Sequence, residues 1–203
     1  MTFVKICGIT NLDDALDAVE FGADALGFNF YPQSPRYISL EVAKEILEDI
    51  PPAIWRVGVF VNEKESLVQD ISQILNLDFL QFHGDETPYY CEQFAVPYWK
   101  AFRLKDEKSL DLMKKYQCEH YLIDTYIEKG YGGTGITGDW GLAQEAKKVG
   151  KIILAGGLKP ENVELAIQVV KPDGVDVATG VEECPGKKNR FKLEEFITKA
   201  KGL

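Results

Sequence analysis

The segment Thr2-Phe-Val-Lys-Ile-Cys-Gly-Ile-Thr-Asn-Leu12 contains the pattern that decides the fold: a β-rich run, a short glycine loop and the start of a helix. The run ends at Cys7, Gly8 opens the loop, and an apolar-periodic helix is predicted from Leu12. The same order recurs along the chain. Strands are predicted over residues 3–7, 25–28, 56–61, 79–82, 98–102, 120–124, 152–155 and 174–177. The predicted helices include residues 12–21, 40–50, 63–75, 106–116 and 160–170, and a last helix lies near 193–201.

Eight strand–helix units in 203 residues take about 25 residues each, which is typical of a (β/α)₈ TIM barrel at the short end of its size range. No linker rich in Pro, Gly or Ser divides the chain, so we predict a single α/β domain over residues 1–203. A doubly wound open sheet shows the same alternation of strands and helices. It therefore stays open as an alternative on this pattern alone.

The composition restricts the classes of partner. The formal net charge is −9 and the pI is near 4.8, which argues against binding to nucleic acid or to an anionic membrane. The N-terminus has no charged-then-apolar signal pattern, and no apolar run approaches the length of a membrane span. We therefore expect a cytoplasmic protein.

The cysteines and histidines do not predict a metal site or a disulfide framework. The four cysteines, at positions 7, 91, 118 and 184, are widely separated, and no Cys-x-x-Cys pair occurs. The only histidines are His83 and His120. We therefore expect no protein-bound transition metal.

Polar residues and glycines gather directly after the predicted strands, where a barrel builds its active site. They are Cys7-Gly8, Asn29, Gln81-Phe-His-Gly-Asp85, Asp124-Thr125, Ala155-Gly-Gly157 and Asp176-Val-Ala-Thr-Gly180. Because the strands are parallel, these groups are expected to share one carboxyl mouth. Taken alone, Cys7 could instead be a buried thiol that only packs in the core.

The loops after the seventh and eighth strands predict a phosphate site. Gly156 and Gly157 would let a phosphate approach the main chain, and the loop containing Thr179 and Gly180 would supply the second half of a backbone cradle. A helix is expected to begin near Pro160, just beyond the first of these loops. The alternative is that the glycines only make tight turns.

A glycine motif in the middle of the chain imitates a dinucleotide fingerprint. Gly133-x-Gly135-x-x-Gly138 has the spacing, but eight residues separate it from the sixth strand, which the true fingerprint follows directly. It lies within residues 125–138, which contain five glycines. We expect a loop that closes over substrate, with disorder of no functional consequence as the alternative.

Three further residues are candidates for the site, and a basic run is considered beside them. Asp124 ends the sixth strand and could act as a general acid or could only cap nearby amides. Arg36, in a loop stiffened by prolines, could grip a carboxylate bidentately or could be an ordinary surface arginine. His83 could contact a sugar hydroxyl or could be a satisfied loop residue. Lys187-Lys188-Asn-Arg190 is a short basic run that is expected to be a solvated face, with a ligand site as the alternative.

Five motifs in order along the chain are similar to those of the phosphoribosylanthranilate isomerase family of tryptophan biosynthesis. They are Lys5-Ile-Cys-Gly-Ile-Thr10, Gln81-Phe-His-Gly-Asp-Glu86, Gly132-Gly-Thr-Gly135 with Asp139-Trp140, Leu154-Ala-Gly-Gly-Leu-x-Pro-Glu-Asn-Val163, and Gly174-Val-Asp-Val-x-x-Gly-Val-Glu182 with Pro185-Gly186. The resemblance covers essentially the whole chain. Any one motif would be a weak signal, and the five together are a strong one.

The resemblance implies a (β/α)₈ barrel that carries out an Amadori rearrangement of N-(5-phosphoribosyl)anthranilate without metal or organic cofactor. It implies Cys7 as general base, Asp124 as general acid and Arg36 as partner of the anthranilate carboxylate. Gly156, Gly157, Thr179 and Gly180 would line the phosphate site, and His83 and Gln81 are candidate substrate-binding residues. Since a free thiol is mostly protonated at neutral pH, we expect a local positive field to lower the pKa of Cys7.

The chain departs from the family pattern at three places, and two other functions remain alternatives. Ala178-Thr179 stands where two serines are usual, Phe82 where a smaller aliphatic residue is common, and Lys188-Asn189 where Lys-Asp is usual. One alternative is a related phosphoribosyl isomerase of histidine biosynthesis, in which an aspartate ends the first strand. The other is a non-catalytic barrel that binds sugar phosphates. The sequence leaves open whether the protein is a monomer or a homodimer.

Overall fold

Eight parallel strands close into a barrel in the computed structural model, which describes residues 1–124 and 140–203. Each strand pairs with the next one along the chain, and β1 also pairs with β8, so the barrel has no open edge. The strands are β1 Phe3–Cys7, β2 Ala25–Asn29, β3 Trp55–Phe60, β4 Phe79–Phe82, β5 Tyr98–Arg103, β6 His120–Asp124, β7 Ile152–Ala155 and β8 Gly174–Val177. The closed barrel confirms the predicted fold and excludes the open sheet.

Helices surround the barrel. Those in the described residues are α1 Leu12–Glu20, α2 Leu40–Glu48, α3 Glu65–Leu75, α4 Pro88–Cys91, α5 Glu107–Met113, α6 Trp140–Ala146, α7 Val163–Val170 and α8 Arg190–Lys201. A 3₁₀ turn, Thr179–Val181, follows β8 and leads into a small antiparallel hairpin of β9 Glu182–Cys184 and β10 Lys187–Lys188. None of the described helices is both long enough and apolar enough to cross a membrane.

Two polar side chains just before helices, those of Thr10 and Asn62, do not cap α1 and α3, because they have other partners. Asn11, not Thr10, caps α1 by accepting from the Asp14 amide, while the Thr10 hydroxyl donates to the Gly186 carbonyl. α3 begins after Lys64 without a side-chain cap, since Asn62 has a φ of 51° and its Oδ1 accepts from the Asp85 amide. Both displaced side chains bind loops at the carboxyl mouth instead.

The barrel interior changes character from its amino end to its carboxyl end. At the amino end the rings of Phe3, Trp55, Phe79 and Trp99 pack against one another, with centroids 4.7–6.5 Å apart. Alternate residues of a strand share a face, so Lys5 follows Phe3 along the interior face of β1. The aromatic layer closes the base of the barrel and leaves the polar side chains at the mouth.

Candidate active site

The residues predicted to form the site do lie at the carboxyl ends of the strands. Cys7 is the last residue of β1, Asp124 is the last of β6, and His83 follows β4 directly. Cys7 is buried with 9% of its surface exposed, whereas His83 and Asp124 are partly exposed. The predicted closing loop, including Gly133, falls outside the described residues.

Cys7 lies against a glycine on the neighbouring strand. In the β1–β2 register Cys7 is opposite Gly27, and a Cβ placed on Gly27 would be only 2.8 Å from the Cys7 Sγ. Burial raises the pKa of the Cys7 thiol, and Lys5 and Lys188 lower it without reversing the shift. The predicted cations are present, but the predicted direction of the pKa shift is wrong because desolvation of the thiolate outweighs them.

Arg36 lies across the start of the same loop and is held by a carboxylate that the sequence analysis did not assign. Gly8 has a φ of 75°, and a Cβ there would be 2.6 Å from Arg36 Cδ. Arg36 donates from Nε to Glu182 Oε1 at 2.7 Å and from Nη2 to Glu182 Oε2 at 2.6 Å. Its Nη2 also donates to the Thr179 hydroxyl at 3.0 Å. Arg36 therefore joins the Cys7 loop to the loop after β8.

Lys188 is a buried part of the site, so the prediction that it belongs to a solvated face is wrong. Only 4% of its surface is exposed, and its Nζ donates to the Cys7 carbonyl at 2.6 Å and to Glu182 Oε1 at 3.1 Å. The β9–β10 hairpin folds Lys188 back over β1, whereas Lys187 is exposed as expected. A basic run cannot reveal this burial, because it results from the turn of the hairpin.

Glu182 accepts hydrogen bonds from both Arg36 and Lys188. Burial opposes its ionisation, but the hydrogen bonds and charges of Arg36 and Lys188 hold the pKa of the carboxyl below its ordinary value of 4.5. The Gly186 amide donates to Glu182 Oε1 as well, at 3.3 Å. Glu182 therefore fixes the position of the Arg36 guanidinium and ties the hairpin to the mouth.

Gln81 and His83 are in direct contact. Gln81 Nε2 and His83 Nδ1 are 3.1 Å apart, and only 1% of Gln81 is exposed. Burial lowers the pKa of His83, with Asp124 and Asp176 opposing the shift, so the imidazole is neutral at pH 7. Gln81 therefore supports His83 from inside the barrel, and its predicted contact with substrate stays a prediction.

Lys100 fixes the loop that holds His83. The Lys100 ammonium, on β5, is buried and donates to the carbonyls of Phe82 at 3.3 Å and Gly84 at 2.8 Å. It also lies 3.4 Å from a Glu86 carboxylate oxygen. The sequence pattern does not identify this role, because its acceptors are mostly backbone carbonyls.

The two predicted phosphate loops are in contact with each other. Gly156 and Gly157 have φ values of 82° and 66°, a conformation that favours glycine. A Cβ on Gly180 would overlap the Leu158 carbonyl oxygen, so the loop after β8 lies directly on the loop after β7. α7 begins at Val163 rather than near Pro160, since the intervening residues form a turn.

Comparison with known proteins identifies one family. A family model described as N-(5'phosphoribosyl)anthranilate (PRA) isomerase matches residues 4–199. The curated N-(5'-phosphoribosyl)anthranilate isomerase of Geobacter sulfurreducens is 50% identical over 202 residues, which cover 100% of both chains. The crystal structure of phosphoribosyl anthranilate isomerase from Thermotoga maritima matches with a TM-score of 0.91 at 44% identity over 100% of both chains. Another crystal structure of this isomerase, in complex with reduced 1-(o-carboxyphenylamino)-1-deoxyribulose 5-phosphate, matches with a TM-score of 0.89 at 42% identity, also over 100% of both chains.

Proposed function

We propose catalytic roles for Cys7 and Asp124 because this chain belongs to the N-(5'-phosphoribosyl)anthranilate isomerase family. The protein is an aldose–ketose isomerase of tryptophan biosynthesis. It converts N-(5'-phosphoribosyl)anthranilate into 1-(2-carboxyphenylamino)-1-deoxyribulose 5-phosphate by an Amadori rearrangement. The family and the activity predicted from the sequence are thereby confirmed.

The proposed first step is ring opening by Asp124. Its carboxyl group donates a proton to the furanose ring oxygen, the bond from that oxygen to C1 breaks, and the nitrogen lone pair forms the C=N bond of a protonated imine, which leaves Asp124 as a carboxylate. A proton donor is needed because an alkoxide is a poor leaving group. Asp124 is suited to the role by its place at the end of β6, partly exposed at the mouth.

The proposed second step is proton removal by Cys7. Its thiolate takes the proton from C2 and an S–H bond forms. The electrons of the C2–H bond form the C1–C2 double bond of an enamine, and the electrons of the C=N double bond return to the nitrogen as a lone pair. The enamine then tautomerises to the ketone. The nearby Lys5 and Lys188 favour the thiolate against its burial.

One observation carries this assignment: the proposed base, the proposed carboxylate-binding residue and the proposed phosphate loop form one continuous cluster. Arg36 packs over Gly8 beside Cys7 and donates to Thr179 in the loop after β8. The analogue named for the structural neighbour has a carboxylate at one end and a phosphate at the other. We therefore propose that Arg36 binds the anthranilate carboxylate and that Gly156, Gly157, Thr179 and Gly180 bind the phosphate.

The remaining site residues take supporting roles in the proposal. His83 is neutral at pH 7 and partly exposed beside Asp124, so it can hydrogen-bond a sugar hydroxyl without adding charge. Gln81 holds the imidazole in place. A cytoplasmic location is also part of the proposal, and it is supported by four free thiols, of which Cys184 is exposed.

Steady-state kinetics of Cys7→Ala and Asp124→Asn test the two roles. A proton-transfer residue contributes about 10²–10⁴ in rate, which is roughly 3–5 kcal/mol of barrier. Turnover should fall by at least that order, while competitive inhibition by inorganic phosphate is retained. Cys184→Ala, a substitution of an exposed thiol, is the matched control and should keep full activity. A near-wild-type rate in Cys7→Ala or Asp124→Asn would contradict the assignment.

A further inference from the structure

A buried ion pair lies in the barrel beneath the Cys7 thiol. Lys5 is two residues before Cys7 on β1, so both side chains are on the same face of the strand. Lys5 is completely buried, and its Nζ donates to Asp176 Oδ1 at 2.7 Å. The β1–β8 register places Lys5 opposite Asp176. Barrel interiors are usually filled by branched apolar side chains, so a charged pair here needs an explanation.

The space above Gly27 contains both the thiol and the ammonium. A Cβ placed on Gly27 would lie 2.8 Å from Cys7 Sγ and 3.0 Å from Lys5 Nζ. The two polar atoms therefore share the volume that a side chain at position 27 would occupy. Because residue 27 is a glycine, the ammonium can approach the thiol directly.

We propose that Lys5 is a positioning residue whose ammonium stabilises the Cys7 thiolate, and that Asp176 holds this ammonium in place. The proposal rests on the proposed role of Cys7 as the general base. It adds a buried cation that makes a thiolate possible in a desolvated position. Asp176 has a double effect, since it keeps Lys5 charged and also repels the thiolate.

The charges around Cys7 identify Lys5 as the cation that acts on the sulfur itself. Four charged groups face Cys7: Lys5 of β1, Asp176 of β8, Lys188 of the hairpin and Arg36 of the loop after β2. Lys188 and Arg36 both share the carboxylate of Glu182, and Lys188 donates to the Cys7 carbonyl rather than to the sulfur.

Lys5 is also the cation that is reliably charged. Burial by itself would lower the pKa of Lys5, but Asp176 and Cys7 together raise it above its ordinary value. Burial lowers the pKa of Lys188 below its ordinary value. At neutral pH the barrel therefore contains a Lys5 ammonium that both Asp176 and the Cys7 thiolate attract.

Substitutions of Lys5 and Asp176 distinguish an electrostatic effect on the pKa of Cys7 from a packing defect. Lys5→Met removes the cation at similar length, so the pKa of Cys7 should rise. The amide oxygen that Asp176→Asn introduces can still accept from the Lys5 ammonium and hold it in place. The repelling negative charge is gone, and the thiolate becomes the charged partner of Lys5, so the pKa of Cys7 should fall. A packing defect has no reason to move the two variants in opposite directions.

The measurement is the pH dependence of Cys7 alkylation by iodoacetamide in the folded protein, followed by peptide mass spectrometry. The pH at the inflection of the rate profile gives the pKa of Cys7. The rate at the high-pH plateau measures how accessible the thiolate is to the reagent. We expect the inflection to move by about one pH unit or more, upward in Lys5→Met and downward in Asp176→Asn, which is about tenfold in rate at neutral pH. Lys187→Met, at an exposed position, is the matched control and should leave the inflection unchanged.

A double variant keeps the test valid if Lys5→Met does not fold. Lys5→Met with Asp176→Asn leaves no buried charge unpaired, and its folding is checked by circular dichroism. Its inflection should lie above that of the wild type, since Lys5 acts more strongly on Cys7 than Asp176 does. An unchanged inflection in the folded Lys5 variants, or shifts of Lys5→Met and Asp176→Asn in the same direction, would overturn the proposal.

Alkylation requires no substrate, so this proposal and the proposed function fail separately. Opposite shifts together with full turnover in Cys7→Ala would support the action of Lys5 on the thiol and would reject Cys7 as the base. Lost turnover in Cys7→Ala with an unshifted inflection in Lys5→Met would retain the base and reject the role of Lys5.

Discussion

A methyl group at Gly180 should damage phosphate binding by forcing apart the loops after β7 and β8. An ideal Cβ on Gly180 overlaps the Leu158 carbonyl oxygen and lies 2.9 Å from the Leu158 carbonyl carbon and 3.0 Å from Lys159 Cα. These are main-chain atoms, so no side chain can rotate away. Since non-bonded carbon atoms prefer about 3.5–4.0 Å, the two loops must separate. Gly180 does not use the left-handed conformation, so the effect of Gly180→Ala is that of the added methyl alone.

We expect Gly180→Ala to lower both the free energy of unfolding and kcat/KM. Overpacking of this kind costs about 1–3 kcal/mol of unfolding free energy, and a displacement of about 1 Å in a binding group can cost about 10²-fold in rate. We expect kcat/KM to fall by about 10²-fold, mostly through KM, because phosphate contacts bind substrate and transition state alike. Inhibition by inorganic phosphate should weaken in parallel, as measured by steady-state kinetics.

Gly174→Ala at the opposite end of β8 is the matched control. Its methyl would be 2.7 Å from Ile153 Cδ1 and 2.9 Å from the Phe3 carbonyl oxygen, at the aromatic base of the barrel. Urea denaturation should show a loss of stability without a change in KM or in phosphate inhibition. The reasoning is refuted if Gly180→Ala keeps wild-type phosphate inhibition, or if Gly174→Ala weakens it equally.

Three further outcomes are expected. Because burial raises the pKa of Cys7 above 9.0, kcat/KM should increase about tenfold per pH unit from pH 7 towards 9; a flat profile with chemistry rate-limiting would contradict thiolate catalysis. Glu182 has a depressed pKa, so it stabilises the fold above about pH 4.5 and less as pH falls through its folded pKa. In urea titrations the deficit of Glu182→Gln should therefore shrink in acid, whereas Glu183→Gln, at an exposed site, should show little deficit at any pH. Arg36→Lys cannot form the two-point contact with a carboxylate, so KM should rise about tenfold with kcat nearly unchanged; an unchanged KM would reject the proposed contact.

The parts of the structure that local patterns determine were predictable. Five strands, among them β1 and β6, have the predicted bounds. At β1, β4, β6 and β7 the apolar run is interrupted by a polar residue or a glycine, which marks the end of the strand. This placed Cys7 and Asp124 at the mouth. α4 was missed since its four residues, Pro88–Cys91, are too few to show a helical period. The single-domain organisation stays a prediction.

The parts that depend on barrel closure were not predictable from local patterns. Arg36 and Glu182 are 146 positions apart, and Lys5 and Asp176 are 171 apart. Their pairing requires the first and last strands to meet, and a single sequence does not show which charges then face each other. Local patterns therefore pointed to the proposed reacting groups but not to the ions that surround them.

The distribution of charge in the barrel reflects a division between stability and catalysis. Lys5, Lys100 and Lys188 are all buried in the carboxyl half, each with a different set of acceptors, while the amino half is closed by aromatic rings. Removing an ion pair from water costs free energy that its attraction often does not recover, and apolar replacements are commonly neutral or stabilising by about 1–4 kcal/mol. Packing of the aromatic rings at the base of the barrel can offset that cost, because none of these side chains has a proposed role in the reaction. The Lys5 ammonium is then best explained by the thiolate that the proposed reaction places at Cys7, whereas Lys100 and Lys188 hold loops of the mouth through backbone carbonyls and Glu182.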